Sequence, residues 1–273
     1  MFTLRQPPTV VTLLLLVLGA ISALRAQSSN LDGIAHVALR VADLEKSRRF
    51  YESLGFEKAF EFAESGKATE LFMKINDRQF VELYPRTQDS QAMGLMHVCY
   101  EVNDIESLRA AYLKQALNPP EAKKFRAGNL LFVLRDPDGQ IVEYTQYLPG
   151  SLHAEDKGKH LGEHRLSTRL QAVVSPVKDA GAEQAFYVDK LGFKSISGNR
   201  NRLVLSGASG DELGLEPQAK HAQLVFSVEQ EKPVAEGLKQ RGLHPATMAD
   251  GLTVNDPDGT IIVFRALRRD SDE

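Results

Sequence analysis

Two histidines and two glutamates recur at matched spacing in this chain. His36 and His97 are 61 residues apart, as are Glu82 and Glu143, so each histidine precedes its glutamate by 46 residues. All four fall in predicted strands, where a buried carboxylate needs a partner. Two neutral imidazoles and two carboxylates balance one divalent cation, and such ligands suit Ni, Zn, Mn, Co or Fe. The spacing therefore predicts one divalent metal site.

Composition excludes several other classes of protein. The 273 residues carry 33 Lys+Arg against 36 Asp+Glu, a net charge of −3 without a basic cluster, so no nucleic-acid partner is indicated. Hydrophobic residues make up 42% and charged residues 25%, which is typical of a globular protein. The single cysteine, Cys99, cannot form an intrachain disulfide, and it excludes a cysteine-rich zinc or iron–sulfur site.

The first 26 residues have the pattern of a signal peptide. Uncharged residues fill the stretch between Arg5 and Arg25, with an apolar centre at 10–20, and cleavage after Ala26 fits this pattern. We therefore expect export to the periplasm or secretion, with no membrane contact after cleavage. The alternative is a membrane anchor through residues 6–24, because a stretch of that length can just span a bilayer.

Four segments repeat one order of elements. Strand-like runs at 34–41, 96–102, 170–177 and 223–228 each lead into a helix-like stretch. In the first two segments, three further strands follow the helix: 56–62, 69–75 and 79–84, and then near 121–126, 129–135 and 140–147. Asp-Pro-Asp-Gly makes a turn before the last strand at 136–139 and again at 256–259. The sequence predicts an α+β fold of four βαβββ modules.

The modules are expected to pair into two domains. Residues 31–148 form the first domain, 149–168 a polar linker, 169–268 the second domain and 269–273 a tail. Asp43 is predicted to cap the first helix. Asn103 is predicted to cap the second, with Glu106 completing a capping box.

The linker contains a zinc-protease pattern, His160-Leu-Gly-Glu163-His164. That motif requires a helix, and Gly162 with its polar surroundings argues against one. Together with His153, these histidines are interpreted at most as an adventitious surface metal site.

These motifs together resemble the vicinal oxygen chelate superfamily, which includes glyoxalase I, bleomycin resistance proteins and extradiol dioxygenases. The resemblance covers about 34–267 and rests on His-Val-Ala-Leu-Arg-Val, Phe-Tyr…Leu-Gly-Phe, His97-Val and Asp-Pro-Asp-Gly…Val-Glu143. It implies U-shaped mixed sheets, each built from two modules, and one ion that chelates neighbouring oxygens of a small-molecule substrate. By resemblance, the metal ligands are His36, Glu82, His97 and Glu143. Related modules often pair across subunits, so a homodimer is a further possibility.

The second half of the chain departs from this pattern. At the four ligand positions it has, in chain order, Ala172, Gly214, Gln223 and Val263. The resemblance therefore implies that the second domain is degenerate and binds no metal by the same scheme.

Three activities stay open at this point. A glyoxalase I-like isomerase or lyase would draw its proton-transfer base from Glu82 and Glu143. A ring-cleaving oxygenase would hold Fe(II) with two histidines and one glutamate, but the chain has Val133 where that group carries an acid–base tyrosine. A non-catalytic small-molecule or metal-binding protein would use the same pocket without turnover.

Further side chains on the same strand faces are predicted to bind substrate, because alternate residues of a strand share a face. They lie two or four residues after a predicted ligand and are Arg40, Tyr84, Cys99 and Thr145. By resemblance Arg40 grips the carboxylate of glutathione, although export argues against that substrate. Alternatively Arg40 forms an ion pair with Glu101, its counterpart in the second module.

Overall fold

The computed structural model describes residues 31–205, 207 and 209–267. The predicted signal peptide and tail lie outside the described residues. Within the described ranges, no helix is long and apolar enough to cross a membrane.

The first half of the chain forms an eight-stranded mixed sheet. Its strands are β1 (Leu31–Val41), β2 (Glu57–Glu64), β3 (Lys67–Lys74), β4 (Phe80–Pro85), β5 (Gly94–Val102), β6 (Lys123–Lys124), β7 (Leu130–Arg135) and β8 (Ile141–Gln146). Their spatial order is β2-β3-β4-β1-β5-β8-β7-β6. The strands that open the two modules, β1 and β5, pair antiparallel at the centre, and each pairs in parallel with the last strand of its own module.

The second half repeats this arrangement. Its strands are β9 (Leu170–Pro176), β10 (Lys194–Ile196), β11 (Asn199–Val204), β12 (Glu212–Glu216), β13 (Gln223–Val228), β14 (Ala246–Met248), β15 (Gly251–Asn255) and β16 (Ile261–Ala266). Their spatial order, β10-β11-β12-β9-β13-β16-β15-β14, is equivalent to that of the first sheet. The α+β fold of four βαβββ modules paired into two sheets is therefore confirmed.

Short helices connect the strands. Within the described residues they are α1 (Leu44–Ser53), α2 (Ile105–Lys114), α3 (Leu152–Glu155), α4 (Ala180–Ala185), which continues into a π-helical turn at Phe186–Lys190, and α5 (Glu231–Gln240). Asp43 caps α1 as predicted, accepting from the Lys46 N–H at 2.9 Å. The predicted cap of α2 is wrong: the carboxylate of Asp104 accepts from the Ser107 N–H at 3.0 Å, and Asn103 bonds Asp32 instead.

The two halves share one hydrophobic core. Side chains alternate across each sheet, so that one face packs on the helices and the other is concave. Aromatic rings cross between the halves: Phe56 lies 5.3 Å from Phe226, and Tyr100 lies 5.3 Å from Phe193, between ring centroids. The concave face of the first sheet carries the polar side chains of His36, His97 and Glu143.

The two Asp-Pro-Asp-Gly turns also join the halves, each by contacting the other half. Oδ1 of Asp258 accepts from the backbone N–H of Ala42 at 3.2 Å. In the reciprocal contact, Asp138 accepts from the Lys178 N–H at 2.6 Å, and its own N–H donates to Oε1 of Glu183 at 2.9 Å. The repeated motif therefore makes a turn and also a contact between the halves.

This contact predicts a pH-dependent stability. Glu183 is 0% exposed, its Oε2 has no hydrogen-bond partner among the described residues, and burial together with the charge of Asp136 raises its pKa to about 7. The pKa of Glu183 is higher in the folded protein than in the unfolded chain. Its protonated carboxyl group therefore makes its full contribution to the free energy of unfolding below pH about 4.5, and this contribution is lost as the pH rises through about 7. Above pH 8, Glu183→Gln should raise the free energy of unfolding by about 2 kcal/mol, measured by urea denaturation.

The difference between Glu183→Gln and the unchanged protein should shrink toward pH 5. The exposed Glu236→Gln in α5 is the matched control and should show no such pH dependence. A Glu183→Gln effect of equal size at pH 5 and pH 8 would contradict the interpretation.

Candidate metal centre

Three neighbouring strands bring three of the four predicted ligands together. In the register of the first sheet, His36 on β1 lies opposite Cys99 on β5, and Cys99 lies opposite Glu143 on β8. His97 lies opposite Ala38, one side-chain repeat further along the same concave face. The pseudo-twofold relation between the modules thus places both histidines at the middle of the U-shaped first sheet.

The atoms converge closely. Nε2 of His36 lies 3.1 Å from Nε2 of His97 and 3.3 Å from Oε1 of Glu143. Nε2 of His97 lies 3.8 Å from Oε2 of Glu143. All three residues are buried, and their ligand atoms lie within 4.8 Å of one another.

This geometry fits one divalent ion. Two ligand atoms that each lie about 2.1 Å from an ion, at right angles to each other, are about 3.0 Å apart, close to the separations of His36 Nε2 from the other two ligands. Two imidazoles and one carboxylate are a common donor set for first-row transition metals. The described residues therefore contain a His-His-Glu site suitable for one metal ion.

Electrostatics keep His97 neutral and Glu143 ionised, the forms that bind a cation. Burial lowers the pKa of His97 to about 4, so its imidazole is neutral and has a free lone pair at pH 7. Burial alone would raise the pKa of Glu143, but the hydrogen bond to His36 and the charges of both histidines lower it to about 2. Burial likewise opposes the charge on His36, yet the carboxylates of Glu82 and Glu143 raise its pKa.

Glu82 lies beside the triad. Its Oε1 is 3.2 Å from Nδ1 of His36, the ring nitrogen that faces away from His97, without the alignment of a hydrogen bond. Its Oε2 lies 3.1 Å from the Tyr84 hydroxyl, whose single proton is shared between the carboxylates of Glu82 and Glu70. Burial raises the pKa of Glu82 to about 8. Direct ligation of the ion by Glu82 stays a prediction.

The predicted substrate-binding residues are spread over the concave face. Cys99 is buried between His36 and Glu143 in the register, and Tyr84 contacts Glu82. The buried Thr145 donates to the Leu130 carbonyl at 3.3 Å.

The predicted ion pair between Arg40 and Glu101 is wrong. The antiparallel register puts Arg40 opposite Gly94 and Glu101 opposite Gly33, at different ends of the strand pair. Arg40 donates to the Ala92 carbonyl at 3.0 Å instead, and Glu101 pairs with Arg78 at 2.8 Å.

The places of two residues near the site, Glu70 and His153, were not predicted from the sequence. Glu70 gave no local signal beyond its alternation within a strand. His153, interpreted as a surface residue of the linker, is 4% exposed and bonds Asn129. The zinc-protease pattern at 160–164 is not helical, which agrees with the expectation.

The second sheet has the predicted replacements in the same register. Ala172 lies opposite Val225, and Val225 lies opposite Val263, as His36, Cys99 and Glu143 do in the first sheet. These three residues form a small apolar cluster. An apolar cluster therefore occupies the place of the triad.

Comparisons with known proteins agree with this fold. A family model described as the Glyoxalase/Bleomycin resistance protein/Dioxygenase superfamily matches residues 33–144. The chain is 32% identical over 129 residues to the curated "Virulence protein STM3117" of Salmonella typhimurium strain LT2, a match that covers 43% of this chain and 86% of that protein.

Two solved structures are similar over most of the chain. The Mn(II)-bound glyoxalase from Novosphingobium aromaticivorans has a TM-score of 0.66 and 17% identity, and the match covers 86% of this chain and 82% of that one. The 2,3-dioxygenase LapB from Pseudomonas sp. KL28 has a TM-score of 0.63 and 14% identity, with coverages of 90% and 96%. At these identities the similarity establishes the fold.

Proposed function

The chain belongs to the Glyoxalase/Bleomycin resistance protein/Dioxygenase superfamily, and from that premise we propose that it is a divalent-metal-dependent enzyme that transfers a proton on a small substrate bound through two neighbouring oxygens. The observation that carries the proposal is the division of the buried carboxylates. Glu143 belongs to the compact triad, whereas Glu82 lies next to it and bonds Tyr84. One carboxylate is therefore available to hold the ion and another to move a proton.

The roles of the residues follow from this division. When bound, the ion would polarise the chelated substrate oxygens and so acidify the C–H bond of a carbon that bears one of them. In its ionised form, Glu82 accepts the proton from that carbon and returns it to the neighbouring carbon. Tyr84, which donates to Glu82, fixes the orientation of this carboxyl group. Cys99, within the triad region, restricts the room beside the chelated oxygens.

The test is solvent deuterium exchange. Protein loaded with Co(II) or Mn(II) is incubated in D₂O with a panel of hemithioacetals and α-hydroxyketones, and exchange at the α-carbon is followed by proton NMR. Glu82→Gln should slow the exchange about 100- to 10,000-fold with metal content unchanged. Glu70→Gln, one residue further along the same hydrogen-bonded chain, is the matched control and should slow the exchange far less.

Two results would speak against this assignment. Equal exchange rates in Glu82→Gln and the unchanged protein would remove Glu82 from the proton transfer. A parallel loss of metal from Glu82→Gln would make it a ligand of the ion instead.

A ring-cleaving oxygenase is the second candidate. The described triad is a two-histidine, one-carboxylate set of the kind that holds non-haem Fe(II). A three-ligand site of this kind favours an oxygenase more than the predicted four-ligand site would. Against it, Val133 lies opposite Glu143 in the register, where an acid–base tyrosine is expected of such enzymes. Oxygen uptake by the Fe(II)-loaded protein in the presence of a catechol would support the oxygenase over the proton-transfer enzyme.

A further inference from the structure

The concave face of the second sheet carries a group of three charged side chains. Glu212 on β12 lies opposite Ala172 in the register, so the two side chains share one face. Arg202 on β11 bonds Glu212 on that face. Arg265 follows Val263 by two residues on β16 and therefore shares its face. Because Ala172 and Val263 belong to the apolar cluster, the charged group borders the place where the first sheet has its metal triad.

Glu212 lies between the two arginines. Its Oε2 accepts from Nη2 of Arg202 and lies 3.7 Å from Nη1 of Arg265. Two guanidinium groups and one carboxylate together carry one excess positive charge. All three side chains are at least two-thirds buried, so solvent screens this charge less than it would at an exposed surface.

The corresponding place in the first sheet is apolar and covered. Phe80 lies opposite His36 just as Glu212 lies opposite Ala172. The linker covers this place, because the ring of His153 contacts that of Phe80 with 4.8 Å between centroids. The second sheet thus has charges where the first sheet has an aromatic contact, and the shared fold does not account for them.

A cavity of about 720 Å³ lies in front of the charged group, and all three of its side chains line this cavity. Two hairpin turns at the opposite edges of the sheet also line it. These are residues 197–198, between β10 and β11, and residues 249–250, between β14 and β15. Cavities of about 300–1,000 Å³ are typical of small-molecule sites, so the U of the second sheet has room for such a ligand.

Two further carboxylates line the same cavity from outside the sheet floor. Glu231 is the first residue of α5 and is half-buried, and Asp250 is exposed in the turn between β14 and β15. Gln171 and Asn199 add polar side chains to the lining. The cavity therefore presents cationic and anionic groups to one ligand.

We propose that the second half of the chain binds a small zwitterion in this cavity, a molecule with one carboxylate and one ammonium group such as an amino acid or a dipeptide. Arg202 and Arg265 recognise the carboxylate, because guanidinium groups form paired hydrogen bonds with carboxylate oxygens. The carboxylates of Glu231 and Asp250 pair with the ammonium group. This site is independent of the metal centre, which lies in the other half.

Thermal melting of the metal-free protein is the first test. The probes are the standard amino acids and their glycyl dipeptides, each at millimolar concentration. At least one probe should raise the melting temperature by about 5–10 °C at 100 times its dissociation constant. By calorimetry, the methyl ester and the N-acetyl derivative of that probe should each bind about 10- to 100-fold more weakly, because each has lost one charge-assisted interaction.

Substitutions locate the bound probe. Arg265→Gln should weaken binding of the zwitterion about 10- to 100-fold but leave that of its methyl ester unchanged, a difference that a general loss of structure would not produce. Arg135→Gln, at an exposed arginine of β7, is the matched control and should bind normally. His97→Ala should also bind the zwitterion normally, because it alters only the metal centre.

Four results would overturn the proposed site. They are the absence of a melting shift with every probe, equal affinities for the zwitterion and its methyl ester, unchanged affinity in Arg265→Gln, and loss of binding in His97→Ala. The last result would place the ligand at the metal centre instead.

Discussion

Replacing His97 with alanine should lower the bound divalent metal from about one ion per chain to below about a tenth, because even loss of an outer-shell partner weakens metal binding 10- to 100-fold and His97 supplies a ligand atom. Its Nε2 faces that of His36 at 3.1 Å, so its removal opens the triad on one side. Metal content of protein reconstituted with Co(II) and then dialysed measures the effect.

The second sheet offers a matched control. Gln223 lies opposite Val174 and beside Ile261, just as His97 lies opposite Ala38 and beside Ile141. Gln223→Ala should keep the full metal content, because no triad surrounds it. Unchanged metal content in His97→Ala, or equal losses in the two variants, would show that the ion binds elsewhere.

Thermal stability gives a second measure of the same prediction. An ion that binds only the folded protein stabilises it by about 4 kcal/mol at a free concentration 1,000 times its dissociation constant. Added Co(II) should therefore raise the melting temperature of the unchanged protein and of Gln223→Ala, but not that of His97→Ala.

The triad could be predicted because the fold is internally repeated. His36 and His97 open equivalent strands, and the equal spacing to Glu82 and Glu143 follows from equivalent modules. Strand alternation then puts them on one face whatever the loops between them do. Strand alternation does not determine the side-chain torsion angles. These angles place Glu143 with the histidines, while Glu82 bonds Tyr84.

The local sequence pattern does not predict contacts between distant segments. Asp-Pro-Asp-Gly predicts a turn, but nothing near Asp258 or Asp138 encodes the partner that each turn meets in the other half. The polar composition of 149–168 is typical of a linker, yet its place is set by Lys74, 82 residues before Asp156. His153 was misplaced on the surface for this reason.

Lys74→Met should therefore lower the free energy of unfolding by about 3–5 kcal/mol, the usual cost of removing one member of a buried ion pair. Lys74 is 0% exposed, and its ammonium bonds Asp156, Lys159 and Asp77. Methionine keeps much of the volume but leaves the buried carboxylate of Asp156 without this cation. For a chain of this size, the melting temperature should fall by about 10 °C.

A surface pair in the same sheet provides the comparison. Lys58 pairs with Glu61 at 2.6 Å, and both side chains are more than one-third exposed, so Lys58→Met should cost at most about 1 kcal/mol. Equal shifts for the two variants would contradict the assignment of Lys74 as a buried anchor.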